Sequence, residues 1–242
     1  MKSLSSIKFH PFFFIVVIIT TITGHFKDIL IITSNILTHE LGHVITGYLL
    51  SWKIEKIVIL PFGGVTIFKE DINRCLLDEF LILISGPLLQ FIVFYYFKNE
   101  LVFNYNYAIL LFNLLPIYPL DGSKLINIVL NKVFSFRKSL KLTLILSLIS
   151  LVIFLSYNFN LITFIILLFP LMETIKTIRN VNYIFSKFLL ERYQKKYHFK
   201  KVKIIKKMSE MKRDYEHIII IDKKPYKEIE FLTKMFDFKN GL

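Results

Sequence analysis

Long apolar blocks separated by short polar stretches constrain this chain more than any other feature. A helix that crosses a bilayer needs roughly 20 apolar residues. The sequence offers six candidate blocks, at about 9–23, 29–50, 76–97, 101–120, 140–157 and 161–178. Hydrophobic types make up 54% of the chain and charged types only 20%, and a water-soluble domain rarely carries so much apolar side chain. The expected fold class is a polytopic α-helical membrane protein of about six transmembrane helices. The first block is short and follows Lys2 and Lys8, as in a signal peptide. However, Thr21-Ile22-Thr23-Gly24-His25 offers no small-x-small cleavage site, so an uncleaved anchor is expected.

Positive charge orients the blocks. With the N-terminus inside, the inner segments before the tail hold Lys2, Lys8, Lys53, Lys56, Lys69, Arg74, Lys124, Lys132, Arg137, Lys138 and Lys141. The outer loops hold only Lys27 and Lys98. The positive-inside rule then puts both termini in the cytosol. From Lys176 to Leu242, 18 Lys and Arg stand against 8 Asp and Glu. The chain thus divides into a transmembrane domain, 1–180, and a basic cytosolic tail, 181–242, beside anionic lipid. Nothing in the tail marks a recognition helix or an RNA-binding strand pair, so no direct nucleic-acid ligand is expected. The single cysteine, Cys75, excludes an intramolecular disulfide and a thiolate metal cluster.

The loop after the second block is apolar from Ile57 to Phe68 but is interrupted by Pro61, Gly63 and Gly64. It cannot form an unbroken helix. Two apolar arms around Gly63-Gly64 predict a membrane-associated β-hairpin or re-entrant loop leaning on a polar cleft, because non-helical backbone at membrane depth survives only against protein or water. A surface hairpin at the lipid headgroups is the plainer alternative. In the cleft reading, the hairpin could pair with an extended substrate by strand addition, which makes Gly63 and Gly64 substrate-positioning residues.

The second block contains His39-Glu40-Leu41-Gly42-His43. Residues i and i+4 share one helix face. Two imidazoles so placed can bind one Zn²⁺, and the adjacent glutamate can activate water at the metal. The alternative is a pair of core histidines bonded to backbone. Three ionisable groups inside an apolar run nevertheless need partners. A catalytic zinc needs a third protein ligand. Asp121, in Asn113-Leu114-Leu115-Pro116-Ile117-Tyr118-Pro119-Leu120-Asp121-Gly122, follows two helix-breaking prolines, and Gly122 is read as freeing the backbone after it. Asp121 is read as that ligand or as a cap on the next helix. Glu173 is a further candidate, and Asp78 and Glu79 could simply mark the interface.

Together, HExxH in one span, Gly86-Pro87 in the next and NxxPxxxxDG in a later one resemble the site-2 protease family of intramembrane zinc metalloproteases. The six-span plan and the Pro61-Phe62-Gly63-Gly64 loop resemble its sporulation type, over about residues 1–180. The resemblance implies that His39, His43 and Asp121 hold one Zn²⁺ per chain, that Glu40 is the general base, and that Asn113 helps hold substrate. It implies that Gly86-Pro87 is a packing element. It also implies a membrane-associated sigma-factor precursor as substrate, inhibitory membrane proteins as partners, and residence in the mother-cell membrane around the forespore. Tyr215–Asp222 resembles one strand and turn of a CBS domain, which in relatives binds adenine nucleotide; a truncated or degenerate CBS-like tail and ATP as a ligand rest on that resemblance alone. The short last loops leave no room for an inserted PDZ module. A metal-ion transporter, which should spread its ligands through several spans and show an internal repeat, and a non-catalytic scaffold are the alternatives.

Overall fold

The structure, a computed structural model, describes residues 6–61, 63–69, 72–96, 100–157, 160–195, 197, 199–221 and 224–237. It is mostly helical. The helices are α1 (Pro11–Ile22), α2 (Phe26–Leu49), α3 (Leu76–Tyr95), α4 (Glu100–Asn113), α5 (Asp121–Val133), α6 (Phe136–Tyr157), α7 (Leu161–Arg179), α8 (Val181–Gln194) and α9 (Glu228–Asp237). Their burial is inverted relative to a soluble protein. Phe14, Ile18, Phe91, Ile149 and Ile153 are exposed, whereas Asn35, Gln90, Asn106, Ser147 and Thr174 are buried. Apolar side chains outside and polar ones inside are what lipid demands of a helical bundle.

Among the described residues, α3 over Leu76–Val93 and α6 are long and apolar enough to cross a membrane. The other expected spans fall short for local reasons. Helix α1 has 12 residues. Helix α2 has 24 but carries Lys27, Asp28 and the HELGH side chains. Helix α7 contains Pro170 and ends in Glu173, Lys176 and Arg179. Helix α4 stops at Asn113, short of the expected Leu120, because Pro116 has no N–H to continue the ladder and disfavours helical geometry at Leu115. Residues 114–120 instead continue as irregular chain. Side chains satisfy the backbone of Tyr118 within it: Tyr118 N–H donates to Ser147 Oγ at 2.6 Å, and Thr174 Oγ1 donates to the Tyr118 carbonyl at 3.2 Å.

The expected hairpin is present, as β2 (Ile54–Leu60) antiparallel to β3 (Gly63–Phe68). Two details differ from the sequence reading. Gly63 and Gly64 lie in β3 itself rather than at the bend, and Phe62 lies outside the described residues. A further strand, β1 (Ser6–Phe9), pairs in parallel with β2, giving the order β1-β2-β3 and leaving β3 at an edge. The packed face of this sheet buries Ile57 and Ile59 against Phe13, Ile36 and Ile109, which ties the sheet to α1, α2 and α4.

After α8, strand β4 (Val202–Ile205) pairs in parallel with β5 (Glu216–Ile221), and β5 pairs antiparallel with β6 (Lys224–Lys227), which leads into α9. Strand β5 lies within the segment expected to be a strand and turn; Asp222 lies outside the described residues. Phe188, Leu189, Ile205, Met211, Ile219 and Leu232 form one core with Phe136 at the start of α6. The C-terminal elements also grip the chain at the approach to α3 and in its first turn. Glu191 Oε2 accepts from Ile72 N–H at 2.8 Å, Arg192 Nε donates to Asn73 Oδ1 at 2.6 Å, and Arg213 pairs with Glu79 at 2.7 Å.

Candidate metal centre

Helices α2 and α3 pack closely enough to touch through backbone. A Cβ on Gly42 would strike Ser85 and Gly86, and one on Gly86 would strike the His43 ring. That proximity lets α3 supply acceptors to both imidazoles. His39 Nδ1 donates to Gln90 Oε1 at 2.7 Å, and His43 Nδ1 donates to the Ile82 carbonyl at 2.7 Å. Both acceptors are carbonyl oxygens, so Nδ1 of each ring carries a proton, and in the neutral imidazole Nε2 presents the lone pair.

Those lone pairs converge. The two Nε2 atoms are 3.1 Å apart, and Asp121 Oδ2 lies 2.9 Å from that of His39 and 3.0 Å from that of His43. All three side chains are buried. Three electron-rich atoms in mutual contact repel one another unless a positive charge sits between them, and a single proton could satisfy only one of the three contacts. Their separations are close to the roughly 3.3 Å edge expected of a tetrahedron with 2.0–2.1 Å bonds to zinc. The residues therefore fit a metal ion, and the set His39, His43 and Asp121 can hold one.

Asp121 is the first residue of α5 rather than its cap, a position held by Leu120. Its Oδ1 accepts from Lys124 Nζ at 3.2 Å, so both carboxylate oxygens are engaged. Gly122 lies inside the first turn, where a Cβ would strike the backbone of Leu114 and Leu115. The glycine permits close packing under the irregular segment instead of loosening the chain. Glu173 stands outside the cluster and pairs with Lys176 at 3.1 Å.

Glu40 lines the same cavity as His43 and Asp121. Its Oε2 accepts from Thr66 Oγ1 of β3 at 2.5 Å. A Cβ on Gly64 would lie 2.5 Å from Glu40 Cγ, and one on Gly63 would lie 3.2 Å from Asn113 Oδ1. The absent side chains let β3 lie directly on Glu40 and Asn113. The Asn113 amide nitrogen is buried and has no hydrogen-bond partner among the described residues. A cavity of about 220 Å³ opens here, walled by Glu40, Thr66 and Asp121 with Trp52, Phe68 and Leu83 among its apolar lining.

Gln90, Thr66 and Lys124 were not picked out from the sequence. Gln90 left a signal, a lone amide within the apolar block 81–94. Thr66 left a signal too, as the one polar side chain of the apolar segment 57–68, whereas Lys124 sits in a segment where polar residues are ordinary.

Comparison with known proteins agrees with this arrangement. The family model of peptidase family M50 matches residues 28–103, which include the HELGH helix. Stage IV sporulation protein FB of Bacillus subtilis is 34% identical over 90% of this chain and 85% of its own length. The chain belongs to peptidase family M50. A zinc metalloprotease of Methanocaldococcus jannaschii is 32% identical over 45% of this M50 chain and 35% of its own. The solved structure of a site-2 protease from the same organism superposes with a TM-score of 0.55 at 26% identity, covering 73% of this chain and 92% of that one. This M50 chain is thus a membrane metalloprotease of the site-2 protease type, similar to the sporulation protein.

Proposed function

We propose that the chain is an intramembrane zinc endopeptidase that cleaves a membrane-associated precursor protein near the cytosolic membrane face, with a sporulation sigma-factor precursor as its substrate. The observation that carries the reading is the meeting of three potential metal-donor atoms, His39 Nε2, His43 Nε2 and Asp121 Oδ2, beside a buried glutamate. In this reading His39, His43 and Asp121 are the ligands of one Zn²⁺. When bound, the ion supplies Lewis acidity that makes water a usable nucleophile at neutral pH.

Glu40 takes a proton from the attacking water and returns it to the leaving amine. Thr66 fixes one Glu40 oxygen, so the carboxylate cannot swing away from the centre. Asn113 offers its unspent amide N–H to a substrate carbonyl. Strand β3, at a sheet edge beside Glu40, can take up substrate as an added strand, and Gly63 and Gly64 keep that approach clear. A peptide so held is extended and exposes the carbonyl that a helix would bury in its own hydrogen bond.

The finer topology belongs to the same proposal: six spans, both termini cytosolic, a transmembrane domain 1–180 and a basic tail 181–242 against anionic lipid. So do inhibitory membrane proteins as partners, ATP as a ligand of the tail, and residence in the mother-cell membrane around the forespore. The test is co-expression with the membrane-associated precursor, comparing the natural chain with Glu40→Gln. Cleavage should vanish in the variant while bound zinc remains. Equal cleavage by both would end the reading.

A further inference from the structure

The geometry points to Lys124 as a positioning residue for the M50 reaction: its ammonium pins the outer oxygen of Asp121 and so holds that carboxylate as a one-oxygen metal ligand. The inference rests on the reading of His39, His43 and Asp121 as a zinc site.

Lys124 lies one turn after Asp121 on α5, where residues i and i+3 share a face. Its Nζ donates to Asp121 Oδ1 at 3.2 Å while Oδ2 faces the two imidazoles. The carboxylate is thereby divided, one oxygen for the ammonium and one for the metal position. Without the lysine, nothing in the described contacts of Asp121 would hold Oδ1 back, and the carboxylate could turn and offer both oxygens. A second oxygen would take the position that a catalytic zinc keeps open.

An exposed lysine–aspartate pair contributes little. This pair is different, because Asp121 is buried and Lys124 lies on the wall of the cavity that also holds Glu40. Among the described residues lining that cavity, Lys124 is the one permanent cation, set among three carboxylates, Glu40, Glu79 and Asp121. Glu79 is already paired with Arg213 at 2.7 Å, so it does not draw the ammonium away. Groups that orient metal ligands in this way typically influence metal affinity by about 10–100-fold.

The test uses the full-length chain in detergent, with Lys124→Gln and Lys124→Arg beside the natural protein. Zn²⁺ affinity is measured by chelator competition, and the coordination of Co²⁺ in the same site by its visible band. In Lys124→Gln the Co²⁺ band should weaken as the released Oδ1 joins and coordination expands beyond four, and Zn²⁺ affinity should shift by about 10–100-fold. Lys124→Arg should recover both. Lys124→Met replaces the glutamine variant if that one does not elute as a single species. A neutral variant with unchanged affinity and an unchanged Co²⁺ band overturns the role of Lys124. A natural chain that binds no Zn²⁺ overturns the metal site itself, and this inference with it.

Discussion

The His39 imidazole donates its Nδ1 proton to Gln90 Oε1 across the α2–α3 interface at 2.7 Å, and the Gln90 amide donates in turn to the Asn106 carbonyl at 3.2 Å. One buried amide thus fixes the tautomer of a candidate ligand and ties three helices together. Gln90→Leu removes the acceptor and leaves the imidazole free to rotate or to carry its proton on Nε2. Zn²⁺ affinity should fall about 10–100-fold. Gln90→Glu keeps an acceptor oxygen in place and should lose less. Chelator competition on the purified chain checks both, and equal affinity in all three proteins would remove Gln90 from the centre.

Gly64 carries a second expectation. A methyl group there would lie 2.5 Å from Glu40 Cγ and 2.6 Å from Cδ and Oε1. Gly64→Ala must displace either β3 or the carboxylate. A displacement of about 1 Å from productive geometry can cost on the order of 100-fold in rate. Cleavage of a co-expressed precursor should drop by that order while bound zinc stays stoichiometric, because the described hydrogen bonds of His39, His43 and Asp121 involve no residue of β3. Loss of zinc together with cleavage would instead mark Gly64 as a residue that supports the fold.

Thr66→Val tests the same contact from the strand side. The valine is nearly the same size but cannot donate to Glu40 Oε2. A buried carboxylate then loses a hydrogen bond of the charged type, worth about 1.5–3 kcal/mol. The rate should fall by roughly 10- to 100-fold, with little change in zinc binding. A valine variant that cleaves at the natural rate would show that the hydroxyl is not needed to hold Glu40.

The parts of this site that were legible in the sequence are those whose partners are close in the chain or whose chemistry is rare in an apolar run. The HELGH helix declares itself through the i, i+4 spacing of His39 and His43. Asp121 stands out because Pro116 and Pro119 mark a helix break. The contacts that were hidden are the ones fixed by tertiary packing. Gln90 reaches His39 only because Gly42 and Gly86 allow α2 and α3 to touch. Strand β1 leaves no local trace in the sequence, since Ser6–Lys8 precede the first apolar block and Ile7 and Phe9 pair with residues about fifty positions away. Helix α5 carries Lys124, Asn127, Asn131 and Lys132, too polar for a span, and appears in the sequence only as the helix that Asp121 would cap, yet it is this short amphipathic helix that aims Asp121. The pairing of β4 with β5 and their packing on α8 and α9 are likewise non-local.

The C-terminal elements depend on one buried charge cluster, and it sets a pH response. Arg192 donates to Glu228 Oε1 at 2.8 Å, to the Tyr215 carbonyl at 2.9 Å and to the Lys212 carbonyl at 2.9 Å. Glu228 Oε2 also accepts from His217 Nδ1 at 2.8 Å and from the His217 backbone at 2.9 Å. Burial opposes ionisation of Glu228, but the His217 hydrogen bond and the Arg192 guanidinium outweigh it and hold the carboxyl below its ordinary value of 4.5. A lowered folded pKa means that the unfolded chain takes up the proton first. The stabilisation is therefore complete above the ordinary glutamate range and disappears as the pH falls through the folded value. Arg192→Met leaves Glu228 buried without its main cation, a change that costs about 3–5 kcal/mol. Hydrogen exchange of the β5 amides should then accelerate by roughly 100-fold or more at pH 7. Glu228→Gln should weaken the same amides at pH 7 and converge on the natural chain as the pH drops below the carboxylate range. Protection that differs by the same factor at every pH would show that the charge on Glu228 contributes nothing to holding these strands.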